Sequence, residues 1–283
     1  MQTSRRVMAS DMRRIIRGAL FVAAIFLAGG IAFSQRTAIR EAVRRFQEPP
    51  LPAEEASPFP LPAEERKPQA RPAEESVKPP PPEASATSSA DIPREKLLAV
   101  PFTSQAPHAN WDMPYQEACE EASVIMVAAY YAREKGIIDP DEADRRIRNI
   151  VRFQQDRYGF YEDTSATETA RLLEEYYPDL TADVLSVRGP EDIKRFIAMG
   201  VPVILPADGK TLPNPHFRNG GPVYHMLVVR GYTEDRFITN DPGTKFGERF
   251  LYTYDGLLNA VHDWNNGDVA NGAPVMIVIR PRS

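Results

Sequence analysis

The chain has 283 residues, of which 27 are proline and only one is cysteine, and its net charge is −5. A single cysteine excludes an intrachain disulfide framework, a zinc ribbon and an iron–sulfur cluster, because each of these needs several thiolates. The net charge is +6 over residues 1–48, −4 over 49–93 and −7 over 94–283. Since nucleic-acid binding depends on a basic surface, the acidic C-terminal part argues against a nucleic-acid partner.

Residues 18–35 read GALFVAAIFLAGGIAFSQ and carry no charge. Their length just reaches that of a membrane-spanning helix. The basic segment 1–17 precedes them, and the juxtamembrane segment 36–48 is less basic, which favours an N-terminus on the cytoplasmic side. We therefore predict a single transmembrane anchor with an extracytoplasmic C-terminal domain. A cleaved signal peptide is the alternative, because Gly30 and Ala32 offer small residues after the apolar run.

Residues 49–96 are predicted to be a disordered linker. Prolines are frequent in them, and the tetrapeptide Pro-Ala-Glu-Glu begins at Pro52, Pro62 and Pro72. Such a composition has too few large apolar side chains to offset the entropy of ordering. In polyproline conformation, at about 3.1 Å per residue, this spacer would reach on the order of 100 Å. A docking site for proline-binding modules is the other interpretation.

Residues 97–283 have the composition of a folded domain, with helices first and strands second, which is an α+β pattern. An apolar stripe predicts a helix over 118–135, Pro140 lies in the first turn of a second helix, and Ser165 with Glu168 has the spacing of a capping box. A fourth helix is predicted over 190–199 and a short one from Asp255. The predicted strands cover residues 182–187, 201–205, 224–232, 236–240, 249–254 and 275–280.

Cys119 lies at the start of the first predicted helix of this domain. Backbone N–H groups at a helix N-terminus stabilise an anion and so favour a reactive thiolate. Glu120 and Glu121 would oppose that thiolate, so the helix alone is insufficient and a basic partner is needed. The chain offers four histidines, His108, His216, His225 and His262.

His225 is the best candidate for that base, because it lies at the beginning of the apolar strand YHMLVVRGY. A strand end is rigid enough to keep a base within reach of its nucleophile. Asn240 or Asp241, on the next strand, could orient the imidazole. Regular pairing that starts from Tyr232 opposite Phe237 would place Asn240 on the face of His225, whereas one β-bulge would reverse that parity.

Four sequence blocks occur in order: VPFTSQ at 100–105, EACEEASVIMVAAYY, GPVYHMLVVRGY and NDPGT. Together they resemble the papain-like cysteine peptidases, and more narrowly peptidase family thirty-nine, whose members trim double-glycine leaders from bacteriocin precursors. The resemblance covers roughly residues 97–283. It implies a papain-like fold in which a helical half with the cysteine helix packs on a C-terminal antiparallel sheet. It also implies Cys119 as nucleophile, His225 as base and Asp241 as the residue that orients the base.

The resemblance further implies that a glutamine upstream of the cysteine donates to the oxyanion. Gln105 matches the motif, although fourteen residues separate it from Cys119, so that Gln116 is an alternative donor. We expect no metal, because His216 and His225 lie nine positions apart across a Gly-Gly loop, which is unlike the usual spacing of zinc ligands, and we expect no cofactor. Trp111, together with Asn214 and His216 of the long polar loop 206–222, is predicted to line the peptide groove, and a core or lid role for these residues is the alternative.

The predicted function is a membrane-anchored cysteine peptidase that cleaves peptide bonds through an acyl-enzyme. Its partners would be a peptide or protein substrate and the membrane, and no oligomeric state is predicted. Two alternatives use the same residues. The first is an amidase or acyl-transfer enzyme acting on cell-wall peptides. The second is a tethered module that binds peptides without catalysis.

Overall fold

The fold is described by a computed structural model, which covers residues 50–59 and 92–282. The predicted membrane segment 18–35 lies outside the described residues. Within the described part of the chain, no helix is both long enough and apolar enough to cross a membrane. Most of the predicted linker, residues 60–91, is likewise outside.

The described residues form five helices and eight strands. The helices are α1 (Cys119–Tyr131), α2 (Pro140–Tyr158), α3 (Ala166–Tyr176), α4 (Pro190–Ala198) and α5 (Tyr254–Leu258). The strands are β1 (Glu54–Glu55), β2 (Lys96–Leu98), β3 (Leu180–Ser186), β4 (Val203–Asp208), β5 (Tyr224–Tyr232), β6 (Arg236–Asn240), β7 (Phe250–Thr253) and β8 (Val275–Pro281). The helices and the mixed eight-stranded sheet confirm the α+β prediction, although β1 and β2 precede the helices and the sheet is not purely antiparallel.

The helix ends follow from local chemistry. The Asp139 side chain accepts hydrogen bonds from the backbone N–H groups of Asp141 and Glu142 at the start of α2, and Gly159 ends that helix at a φ of 82°, in the left-handed region. The predicted capping box of Ser165 and Glu168 opens α3. All residues of α1 are buried, because this helix packs between β5 and α2.

The sheet has the strand order β1-β2-β5-β4-β8-β3, and β6 pairs with β5 and β7. All pairings are antiparallel except the parallel pairing of β1 with β2. Strand β5 is buried along its whole length, as expected for a central strand covered on both faces. The N-terminal end of β5 therefore provides a rigid platform for a functional side chain.

A β-bulge at Arg230 sets the register between β5 and β6. Tyr232 pairs with Phe237, as predicted, but the register shifts between Val229 and Gly231, so that Asn240 lies opposite Val228. Because side chains alternate between the two faces of a strand, this shift turns Asp241 instead of Asn240 toward the face of His225.

Strand β1 lies within residues 49–96, which the sequence analysis assigns to the linker, and here the structure corrects that assignment. Glu54 and Glu55 pair in parallel with Leu97 and Leu98. The Glu54 carboxylate lies 2.7 Å from a guanidinium nitrogen of Arg230, whose side chain is only 2% exposed. Strand β1 is thus attached to the sheet by backbone hydrogen bonds and an ion pair. The low content of large apolar residues in this segment could not indicate such an attachment.

We expect Glu54→Gln to lower the free energy of unfolding by about 1–3 kcal/mol, because it leaves the buried Arg230 guanidinium without its counter-charge. This loss is smaller than the loss expected for breaking a fully buried ion pair, because the Glu54 side chain is partly exposed. Urea unfolding of the full chain measures it. Glu55→Gln is the matched control, because its partner Lys96 forms a more exposed pair. Equal losses in the two variants would contradict the special role of Glu54.

Candidate active site

His225 and Asp241 form a buried pair at the N-terminal end of β5. The imidazole Nε2 lies 2.8 Å from Asp241 Oδ1, and the two side chains are 1% and 0% exposed. The Phe217 ring packs edge-on against the imidazole, with 5.2 Å between the ring centroids. Since Nε2 is engaged by the carboxylate, Nδ1 is the nitrogen left for proton transfer.

Four hydrogen bonds hold the Asp241 carboxylate. Oδ1 accepts from His225 and, at 2.9 Å, from the backbone N–H of Gly243. Oδ2 accepts from the Asn214 amide at 2.8 Å and from the Tyr252 hydroxyl at 2.7 Å. Burial acts to raise the pKa of Asp241, but His225 and the other hydrogen bonds outweigh it, so that the pKa is lowered. The residue is therefore a fixed anion behind the imidazole.

Asn214 occupies the buried position that was the alternative to a place in the peptide groove. Its side chain is buried and donates to Asp241 and to the Tyr252 hydroxyl. Its Oδ1 accepts the backbone N–H of His216 at 3.0 Å. Asn214 is thus a positioning residue, and Tyr252 is a second one that sequence reasoning missed. Nothing local to β7 distinguishes Tyr252 from the other tyrosines of the chain.

Asn240, the alternative partner of the imidazole, is engaged elsewhere. Its side-chain amide donates to the carbonyl oxygens of Val100 and Pro101, at 3.1 and 3.0 Å. Its Oδ1 accepts from the Arg230 guanidinium. Asn240 therefore fastens the segment after β2 to the sheet, and Asp241 is the partner of the ring.

Cys119 is the first residue of α1 and is 6% exposed. Its thiol donates to Glu120 Oε2 at a distance of 3.0 Å. The backbone of Met226, the residue that follows His225 in β5, is close enough to act on the sulfur and to lower the pKa of Cys119. The fold thus brings the predicted nucleophile to the end of β5 that carries the imidazole, although its hydrogen bond is to Glu120.

The surroundings of the sulfur favour the protonated thiol. Burial is the largest cause that raises the pKa of Cys119, followed by the charge of Glu120 and the hydrogen bond to it. Glu120 and Glu121 are themselves buried, and burial raises both of their carboxyl pKa values, that of Glu121 to about 7. Gln154 donates to one oxygen of Glu121. Glu120 and Glu121, which were predicted to oppose a thiolate, are buried next to Cys119, and their charges raise the pKa of its thiol.

The raised pKa of Glu121 predicts a stability that falls with rising pH. Above about pH 4.5 the Glu121 carboxyl is deprotonated in the unfolded chain but still protonated in the folded protein. The free energy of unfolding therefore decreases as the pH rises from about 4.5 to about 7, the pKa of Glu121 in the fold. We expect Glu121→Gln to reduce this fall by roughly 2–3 kcal/mol. Urea unfolding at several pH values measures it, with Glu162→Gln, an exposed glutamate, as control. Parallel profiles for wild type and Glu121→Gln would contradict the assignment.

The two candidate oxyanion donors differ in their contacts. Gln105 is buried, and its Nε2 donates to the carbonyl oxygens of Tyr115 and Gln116, at 2.9 and 3.0 Å. These bonds hold the 3₁₀ turn Tyr115–Glu117 that precedes α1. Gln116 is exposed, and its amide donates to Glu117 Oε1. The oxyanion role of either glutamine stays a prediction, and the geometry gives Gln105 a role in positioning the turn before Cys119.

A cavity of about 490 Å³ opens beside His225. Its walls come from residues 104–116, from the β4–β5 loop and from the β6–β7 loop. Of the predicted groove residues, Trp111 and His216 line it and Asn214 does not. Cys119 is not among the lining residues, because its sulfur is turned toward Glu120.

No three His, Cys, Asp or Glu side chains within residues 50–59 and 92–282 are grouped as a metal site requires. The two histidines of the cavity have other contacts. His216 packs on the Phe246 ring, with 4.7 Å between the centroids, and His225 pairs with Asp241.

The comparison with protein-family models identifies a family. Residues 97–268 match the model of the Peptidase_C39 like family. Among solved structures, the chain is similar to the crystal structure of a proposed C39-like peptidase from Bacillus anthracis, with 16% sequence identity and a TM-score of 0.44. That similarity covers 68% of this chain and all of the other. A comparison with the curated proteins gives no match.

Proposed function

Since the chain belongs to the Peptidase_C39 like family, we propose that it is a cysteine peptidase with Cys119 as nucleophile and His225 as base. The observation that carries the proposal is the His225–Asp241 pair, which is buried, held by further hydrogen bonds and open to a cavity on its free side. The sulfur of Cys119 contacts the backbone of the residue next to that histidine.

In the proposed reaction, His225 Nδ1 accepts the thiol proton and the Cys119 sulfur forms a bond to the scissile carbonyl carbon. The carbonyl π electrons move to oxygen, and the resulting oxyanion is stabilised by the Cys119 backbone N–H. Gln105 would donate to it as well once one N–H of its amide leaves the carbonyl oxygens of Tyr115 and Gln116. The C–N bond then breaks as the imidazolium gives its proton to the leaving amine. A water molecule, deprotonated by His225, cleaves the thioester and restores the thiol. Asp241 stabilises the imidazolium throughout.

This reaction requires the thiol to leave Glu120. The cysteine side chain has a single χ torsion with three staggered positions, so the sulfur can turn while α1 stays in place. Leaving Glu120 removes the hydrogen bond and part of the negative potential that raise the pKa of Cys119. The structure would then represent a resting arrangement of the thiol, and occupation of the cleft would favour the reactive one.

We further propose that residues 18–35 anchor this peptidase in a membrane and that its domain is extracytoplasmic. The uncharged stretch and the basic residues before it support this. Protease accessibility of the C-terminal domain in intact and in permeabilised cells tests the orientation. Digestion only after permeabilisation of the inner membrane would overturn it.

A thiol-directed probe tests the enzymatic proposal sharply, because the chain has one cysteine and every thiol label must lie at Cys119. We expect a peptide-based electrophile to label Cys119 at least about tenfold faster than a simple alkylating agent of equal intrinsic reactivity. His225→Gln should remove this preference, and Cys119→Ala should remove labelling. Equal rates for both reagents would contradict the proposal and favour a binding module.

Product analysis separates the peptidase from the amidase alternative. Wild type and Cys119→Ala are incubated with a peptide mixture and with a mixture of cell-wall muropeptides, and the products are identified by mass spectrometry. Cleavage of linear peptides that depends on Cys119 supports the proposal. Cleavage or transfer confined to the muropeptides would assign the same residues to cell-wall chemistry.

A further inference from the structure

The cavity beside His225 is cationic, although the domain that holds it is acidic. Residues 94–283 have a net charge of −7, yet no aspartate or glutamate is among the residues that line the cavity. Three cationic side chains line it, Lys210, Arg218 and Lys245. The charge of the cleft is therefore opposite in sign to that of the surrounding domain.

Two of the cations lie over aromatic rings of the cleft wall. The Arg218 guanidinium is 5.8 Å from the centre of the Trp111 ring, and the Lys245 ammonium is 4.9 Å from that of Phe246. Arg218 belongs to the β4–β5 loop and Lys245 to the β6–β7 loop, so the two charges come from separate walls. The cleft thus presents apolar surface and positive charge side by side.

The third cation is fixed by its own loop. The Lys210 ammonium donates to the carbonyl oxygens of Asn219 and Gly221. Asp208 accepts the backbone N–H of Lys210 and the Thr211 hydroxyl, and is not among the lining residues. No acidic side chain of the described segments lies within ion-pairing distance of any of the three cations.

The acids near Cys119 and His225 do not line the cavity. Glu117, Glu162 and Asp163 lie near the start of α1, since in addition to burial the charges of Asp163 and Glu162 raise the pKa of Glu117 and that of Asp163 raises the pKa of Glu120, but none of the three is a lining residue. Asp241 is fully buried behind His225 and is occupied by four hydrogen bonds. Glu120 and Glu121 are buried in α1, and their raised pKa values reduce their negative charge near neutral pH. A ligand in the cavity consequently meets three positive charges at close range, while the distant acids are screened over a Debye length of about 8 Å.

We propose that this cleft selects peptide segments in which an acidic side chain adjoins a large apolar one. The carboxylate would bind Arg218 and Lys245, and the apolar side chain would pack on Trp111 and Phe246. This substrate class rests on the proposed peptidase function, because it describes the same cleft. Acidic ligands are repelled by the rest of the domain, and so the charge pattern concentrates them at the site.

The test measures binding separately from catalysis. Full-length Cys119→Ala is titrated with two fluorescein-labelled octapeptide pools, both randomised among Ala, Leu, Phe and Gly, with a central Glu in one and a central Gln in the other. We expect the Glu pool to bind about tenfold more tightly at low ionic strength, and the difference to shrink at about 0.5 M NaCl. Adding Arg218→Gln and Lys245→Gln should abolish the difference. Arg152→Gln, which removes an exposed charge of α2, should leave it unchanged.

The outcomes distinguish the two proposals. Equal binding of the Glu and Gln pools, or a Glu preference that survives loss of Arg218 and Lys245, would overturn the substrate class whether or not the enzyme is active. A Glu preference that needs both cations supports it. If the Glu preference holds but wild type cleaves neither pool, the result contradicts the proposed peptidase function. The proposal that the cleft binds acidic peptides would still be supported.

Discussion

Replacing His225 with glutamine is expected to lower kcat/KM for peptide hydrolysis by about 10³- to 10⁴-fold. Glutamine keeps a side-chain N–H group that can donate to Asp241, so the buried carboxylate retains a partner. What it loses is the ring nitrogen that accepts the thiol proton. The loss should therefore appear in kcat, and the melting temperature should change by only a few degrees.

His108→Gln is the matched control for this experiment. His108 is about half exposed, pairs with Asp141 and does not line the cavity. It should leave kcat/KM within about twofold of wild type. If His225→Gln retained more than about a tenth of the wild-type rate, His225 would not be the base, since a general base contributes at least 10²-fold. The pH dependence of Cys119 alkylation is measured as well for wild type and both variants. A change in stability alone would not alter this pH dependence, whereas loss of the base would.

The helices were predictable because their signals are local. The capping box at Ser165, the proline at Pro140 and the apolar stripe after Cys119 each depend on residues within two turns of one another. The strands β3 to β8 were also placed within a few residues, since segments such as β5 and β8 are apolar and bounded by turn residues. The short strands β1 and β2 were not predicted, because their residues lie in the segment assigned to the linker or at its end. Local chemistry thus determined most of the architecture.

The choice between Asn240 and Asp241 could not be made from the sequence. It depends on a single extra residue at the Arg230 bulge, and the parity of a strand reverses with each such insertion. The bulged residue is stabilised by contacts distant in sequence, namely the Leu98 carbonyl and Glu54. The bulge that selects the partner of His225 therefore depends on residues 132 and 176 positions before Arg230 in the chain, which no local sequence pattern could indicate.

Side-chain hydrogen bonding was the least predictable part of the site. Gln105 lines the cavity, but whether its amide faces an oxyanion or the Tyr115 carbonyl depends on a turn whose geometry the sequence does not specify. Asn214 belongs to a long polar loop, and the sequence left a place in the groove and a core role open for it, whereas the structure shows that its side chain donates to Asp241. A polar residue of a loop can contact a ligand or hold another side chain in place, and which of the two it does depends on its burial in the fold.

Asp241→Asn is expected to lower kcat by about 10²- to 10⁴-fold and to destabilise the fold by roughly 1–3 kcal/mol. All four donors to Asp241 need an acceptor, and asparagine supplies one oxygen in place of two. The new NH₂ group would face the Asn214 amide and Tyr252 hydroxyl. Because the pKa of Asp241 is lowered in the fold, its stabilising contribution exists above its usual pKa and disappears as the pH falls through the lowered one.

The variant is compared with Asp263→Asn, which removes a carboxylate that also holds several donors, the backbone N–H groups of Ala166 and Trp264 and the Tyr224 hydroxyl. Both variants should lose stability, for different reasons. Asp241→Asn leaves donors unsatisfied, whereas the three donors to Asp263 all bond to Oδ1, which asparagine keeps, so that Asp263→Asn weakens these bonds by removing the charge of their acceptor. Only Asp241→Asn should lose kcat in addition, since only Asp241 contacts the imidazole. Steady-state kinetics and urea unfolding of the two variants measure these effects. If kcat fell equally in both, in proportion to the loss of stability, Asp241 would be a structural anion with no separate part in orienting His225.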